Sequence, residues 1–118
     1  MRAHTSLAFL ALALPWLNPQ TYGPSYSVVQ WLGVWVGACL CWGVWALDGT
    51  SAEERTRAIA AAWLVAATAS AYMGLLQYLG VAEQFGGLIN VTGPGEAYAN
   101  LRQRNQFATL TSIGLLAL

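Results

Sequence analysis

Lysine is absent from this 118-residue sequence, and charge of either sign is scarce, with five arginines and five acidic residues making 8% of the chain against 57% hydrophobic residues. A soluble domain carries about 25% charged residues, so a water-facing shell cannot be built from this composition. The formal net charge is zero, and five scattered arginines do not make the basic stripe that a phosphate backbone requires, which excludes nucleic acid as a partner. The two cysteines, Cys39 and Cys41, stand one residue apart in an apolar run. On a helix that spacing turns them to different faces, so neither a disulfide framework nor a zinc site is encoded. The single histidine, His4, lies at the N-terminal end and flanks an apolar segment, which removes it as a catalytic base. No metal-ligand cluster, no nucleophile with a base and no phosphate-binding glycine loop is written in the chain, so no cofactor is implied.

What remains is apolar length. The composition and run lengths predict an all-α, polytopic integral membrane protein with spans at about 5–17, 28–47, 57–81 and 106–118. The second is uncharged and matches the roughly 20 residues needed to cross a hydrocarbon core of about 30 Å. Ahead of the third, Ser51 with Glu54 three residues on forms a capping-box pattern, so the polar stretch SAEERTR begins the helix at the membrane surface. The first run is short and carries Pro15 near its end. Arg2 and the Ala11-Leu12-Ala13 pattern give it a rival reading as a secretory signal, but the apolar stretch is at the lower limit of length and continues through Trp16 and Leu17. A short span with Trp16 at the interface fits better. The fourth run is still apolar at Leu118, so the chain reads as cut off.

Arginine placement predicts orientation. A cytoplasmic N-terminus puts Arg2 and the 48–56 loop, with Arg55 and Arg57, on the cytoplasmic side of an inner membrane. The same threading places the loops 18–27 and 82–105 outside, and leaves Arg102 and Arg104 as exceptions to the rule.

Within the spans, Trp31, Trp35, Trp42 and Trp45 fall in a stripe about 80° wide at roughly 100° per residue. They are expected to face lipid, while Gly33 and Gly37, a GxxxG pair on the opposite side, are expected to pack inside the protein. The alanine-rich third span suits close burial among helices. Its polar residues Tyr72, Gln77 and Tyr78 gather at the outer end, where interfacial solvation is the expected role. In the loop that follows, Gly86, Gly87, Gly93, Pro94 and Gly95 forbid one continuous helix. Asn90-Val91-Thr92 matches a glycosylation acceptor too short to carry weight, and Glu83 and Glu96 read as solvated charges with no second group nearby.

The stretch ANLRQRNQFATL, residues 99–110, is the chemical focus. From Asn100 to Gln106 every residue except Leu101 is a strong hydrogen-bonding group. Arginines near membrane depth could snorkel to lipid phosphates. Their position on the side that should lack positive charge instead calls for an anionic partner. The planar guanidinium fork suits phosphate, bound bidentately, so Arg102, Arg104, Gln103, Asn105 and Gln106 are the candidate substrate-binding residues.

That run, from Asn100 through Ala108 into an apolar helix, resembles the segment opening a core span in the bacterial O-antigen ligase and O-antigen polymerase superfamily. It is most similar to the protein O-oligosaccharyltransferases that glycosylate pilins. The layout is similar too: a short first span, an outer loop bearing Pro19, Tyr22, Pro24 and Tyr26, two further spans, then a Gly-rich loop. The resemblance implies the N-terminal part of a GT-C-type helical bundle in the inner membrane, transferring a glycan from undecaprenyl pyrophosphate to a hydroxyl of a pilin, of lipid A core or of a growing polysaccharide. It implies no nucleotide sugar and no bound metal, and places the catalytic residues, a histidine among them, beyond Leu118. Family members often carry proline before the asparagine, where this chain has Arg104, so the phosphate role falls more directly on Arg102. Two other classes compete. A transporter or flippase for an anionic lipid-linked substrate would need polar residues midway along the spans, where only Thr68 and Ser70 stand; a small non-catalytic membrane protein would not end in mid-run.

Overall fold

The computed structural model describes residues 3–18, 28–47, 49–93, 95–101 and 104–118. Arg2, residues 19–27 of the first outer loop, Pro94, Arg102 and Gln103 lie outside the described residues, as do the side chains of His4 and Trp31. Among the described residues the chain forms four α-helices, α1 (Ala3–Leu17), α2 (Val28–Leu47), α3 (Ala52–Tyr78) and α4 (Arg104–Leu116), with a 3-10 turn at Ala82–Phe85 and no strand. Of these, α3 is long and apolar enough to cross a membrane.

Helix α3 starts and stops by side-chain and backbone chemistry written in the sequence. Ser51 accepts from the Glu54 amide at 3.2 Å, and the Glu54 carboxylate accepts from the Ser51 amide at 3.2 Å, so the capping box forms and satisfies two amide groups at the helix start. At the other end Gly80 takes φ +72°. The Gly80 amide donates to the Gln77 carbonyl at 2.9 Å and the Val81 amide to the Leu76 carbonyl at 3.0 Å. This is the double bond pattern of a glycine-terminated helix. The helix therefore ends at Tyr78 rather than running on to Val81, because the left-handed glycine consumes the last free carbonyls.

Small residues set the helix spacing. A buried row on α3, Ala62, Ala66, Ala67, Ser70, Gly74 and Gln77, packs between α1 and α4. A Cβ placed at Gly114 would sit 2.2 Å from the Ala67 Cβ, and one at Gly74 would sit 3.1 Å from the Phe107 ring. Pairing 114 with 67 and 107 with 74 makes α4 antiparallel to α3. Helix α2 docks on α1, also antiparallel: a Cβ at Gly37 would lie 2.7 Å from the Ala11 carbonyl oxygen, and the Cys41 thiol donates to the Ala8 carbonyl at 3.5 Å. The Gly37 contact has a sequence cause. Proline has no N–H, so Pro15 leaves the Ala11 carbonyl without its usual donor four residues on, and the bare glycine backbone lies against it. Gly33, one turn away, meets nothing within 4 Å. Of the GxxxG pair Gly37 packs closely against α1 and Gly33 does not, and both line an apolar groove of about 430 Å³ between α1 and α2.

The apolar core runs through Ala13, Ala62, Ala66, Ala67, Leu101 and Leu110, flanked by Trp16 and Trp63 with ring centroids 5.8 Å apart. Most of the large apolar side chains lie outside it. Trp35 is 65% and Trp42 77% exposed on α2, and Leu75, Leu79, Leu115 and Leu116 are exposed on α3 and α4. Such a surface is a liability in water and matches a hydrocarbon surrounding.

The α3–α4 contact gives a direct test. Gly114→Ala should lower stability in detergent micelles by about 1–3 kcal/mol, because the added methyl meets the backbone-anchored Ala67 Cβ. In the double variant with Ala67→Gly, thermal unfolding should recover most of that loss.

Candidate functional site

The alternating helix directions bring the end of α1, the end of α3 and the start of α4 together, and the irregular segment 86–101 folds across that end. Two buried carboxamides organise it. Gln77, in the last turn of α3 and 3% exposed, aims its amide into the loop. Its Nε2 donates to the Asn90 carbonyl at 2.8 Å and the Ala99 carbonyl at 2.7 Å, while its Oε1 accepts from the Tyr98 amide at 2.9 Å and the Ala99 amide at 2.7 Å. Asn100 is 1% exposed. Its Oδ1 accepts from the Asn90 amide at 2.9 Å, and its Nδ2 donates to the Leu88 carbonyl at 2.8 Å and the Leu17 carbonyl at 3.1 Å. The second of these ties the loop to the last residue of α1.

Between the two amides stands Ala99, wholly buried, with φ +54°. A non-glycine residue in the left-handed region costs on the order of 1–2 kcal/mol. Gln77 grips both the N–H and the C=O of this residue, which holds the conformation in place. The following amide, of Leu101, donates back to the Tyr98 carbonyl at 3.1 Å, and the Leu101 side chain enters the core.

Gln77 therefore departs from its expected role. It is not solvated at an interface, because the backbone of a folded-over loop supplies all four of its partners. One signal in the sequence marks this. Residues 67, 70, 74 and 77 continue one helical face at spacings of three and four, so Gln77 extends the small-residue row and points inward with it. Tyr72 and Tyr78 do lie exposed. Asn90 of the acceptor triplet is buried.

Of the candidate binding residues, Arg104, Asn105 and Gln106 form the first turn of α4 and are exposed, while Arg102 and Gln103 lie outside the described residues. Arg104 pairs with Glu96 through its Nη2 and the Glu96 Oε1. Glu96 is thus no isolated loop charge, and the correction has a geometric cause. A turn closed by the Glu96 amide on the Gly93 carbonyl at 3.0 Å, and by the Thr92 hydroxyl on the Glu96 carbonyl at 2.8 Å, folds the acid back towards α4. Among the described residues no group of His, Cys, Asp and Glu is placed to hold a metal ion.

The sequence model of one family matches this end of the chain. It is the protein glycosylation ligase family, over residues 97–118. Neither the curated proteins nor the solved structures yield a match. The matched segment begins two residues before Ala99, takes in the Asn100 anchor and the arginine-bearing stretch, and runs to the end of α4. A short match of this kind supports the O-oligosaccharyltransferase family at a coarse level. With the apolar α3, it points to a membrane protein.

The geometry separates two roles among the polar residues. Asn100→Ala strands buried backbone groups, each left unsatisfied at a cost of about 1–3 kcal/mol, and should lower the unfolding temperature clearly. Arg104→Ala breaks an ion pair whose side chains are 70% and 39% exposed, a class worth about 0–1 kcal/mol, and should leave the unfolding temperature nearly unchanged in the same melt.

Proposed function

We propose that this chain is the N-terminal part of a polytopic inner-membrane glycosyltransferase of the O-oligosaccharyltransferase type. It would move an oligosaccharide from undecaprenyl pyrophosphate to a hydroxyl of a pilin-like protein or of lipid A core on the periplasmic side. The observation that carries the reading is the coincidence of the family match over residues 97–118 with the polar segment that the buried turn presents at one end of the helices. The exposed apolar side chains of α2, α3 and α4 support a multi-pass arrangement, and the arginine distribution supports an N-terminus in the cytoplasm.

In the transfer, the acceptor oxygen bonds to the anomeric carbon of the first sugar as the bond from that carbon to the pyrophosphate oxygen breaks. Negative charge grows on the departing lipid pyrophosphate. Arg102 neutralises that charge, a contribution that is often the largest single electrostatic term in catalysis. Arg104 has Glu96 already as a partner, and Gln103, Asn105 and Gln106 orient the guanidinium groups or hold sugar hydroxyls. The base that takes the acceptor proton is not assigned to any of these residues. The transporter reading draws less support. Of the two mid-helix polar residues it needs, Thr68 is exposed and turns its hydroxyl back to the Leu64 carbonyl at 2.8 Å.

Arg102→Ala in the full-length protein should reduce glycan transfer by about 10²–10³-fold, the loss typical of removing one charge-stabilising donor, with membrane expression unchanged. Arg104→Ala should cost less, because its charge is already shared. Normal turnover by the Arg102 variant at normal expression would sink the assignment.

A further inference from the structure

The proposed chemistry rests on residues 102–106, yet the side chain that controls where that segment begins belongs to α3 and lies outside the family match. We propose that Gln77 is a positioning residue for the arginine-bearing segment, an inference that rests on the proposed function. Its carboxamide spends every hydrogen-bonding group it has on the loop backbone, bonding the Ala99 N–H and C=O, the Tyr98 N–H and the Asn90 C=O at 2.7 to 2.9 Å.

Three observations make this more than fold support. First, the grip is concentrated on Ala99, the one described non-glycine residue with positive φ. A backbone in a strained region persists only when its surroundings over-determine it, and here Gln77 supplies both of the residue's polar partners. Second, the turn is held on both sides of Ala99. Asn100 is anchored at both ends of its side-chain amide, the Leu101 amide returns to the Tyr98 carbonyl, and Leu101 is seated in the core. Third, Gln77 is carried on the rigid helix α3, whose Schellman-type end holds the residue in its last turn. A displaced Ala99 would let the left-handed turn relax and move the segment after it, and misplacement by about 1 Å can cost on the order of 10²-fold in rate.

A merely structural amide would change how much protein folds and not how each folded molecule performs. The test uses full-length protein in liposomes with an undecaprenyl-pyrophosphate-linked oligosaccharide as donor. The readout is kcat/KM per folded molecule, as a ratio to the unsubstituted protein at each pH. Gln77→Leu should lower that ratio at least tenfold. Gln77→Glu should behave differently at the two ends of a pH series. Ionised, the new carboxyl has no proton to donate to the Asn90 and Ala99 carbonyls that Gln77 bonds. Neutral at low pH, it can accept from the Tyr98 and Ala99 amides and donate to one of the two carbonyls, so the ratio should approach that of the parent protein near pH 5 and fall tenfold or more towards pH 8. If both variants keep the parent kcat/KM per folded molecule throughout, the positioning role is overturned. A Gln77→Glu protein that fails to fold even at pH 5 also overturns it, since the neutral carboxyl keeps three of the four bonds and its loss would be one of fold alone. Arg102→Ala runs beside them: normal transfer there removes the arginine assignment itself, whereas loss there with normal Gln77 variants removes only this inference.

Discussion

A carboxamide buried at the end of an apolar helix must satisfy two N–H groups and a carbonyl oxygen without water, and every feature of the loop end of this protein depends on how Gln77 meets that demand. Its partners are all main-chain groups, so the side chain acts as a short piece of secondary structure for a segment that has none. The glycine-rich loop from Gly86 to Gly95 cannot form a ladder of its own. Buried main-chain groups left unpaired would cost more than the hydrogen bonds return, and the two amides of Gln77 and Asn100 remove that cost at six backbone groups from 88 to 99 as well as at Leu17. The price is one alanine held at positive φ.

The same economy explains the helix packing. Without a hydrophobic force between helices in lipid, association depends on close contact and on polar groups that find partners across the interface. Gly114 against Ala67, Gly74 against Phe107 and Gly37 against the Ala11 carbonyl are contacts that no larger residue could make. At its C-terminal end the same face of α3 changes from small residues to Gln77, and with it from van der Waals contact to hydrogen bonding. One helical face thus first brings α4 close and then fixes the strand of backbone leading into it.

Much of this frame could be read from the residues. The capping box follows from Ser51 and Glu54, the irregular loop from its glycines, and the burial of α3 from its alanines, whereas the expected run to Val81 passes over the helix stop at Gly80. What could not be read are contacts between segments far apart in the chain. Asn100 reaches Leu17 across 83 positions, and nothing in either local sequence announces the pair. Glu96 reaches Arg104 only because the Gly93 turn folds the acid back, a direction that composition does not encode. Gln77 lay between these cases. Its spacing marked it as inward, but the general preference of polar side chains for the interface outweighed that spacing until the loop was placed.

The Glu96–Arg104 pair also bears on how two arginines can serve one anion. An unpartnered guanidinium near hydrocarbon depth carries a heavy solvation cost, so on the proposed function a site for a lipid pyrophosphate needs something to hold its cations. Glu96 does this for Arg104 at the mouth of α4 with an exposed bond worth at most about 1 kcal/mol, weak enough to be exchanged for the stronger, bidentate bonds that arginine makes with phosphate. On the proposed function the acid is a placeholder for the substrate's charge.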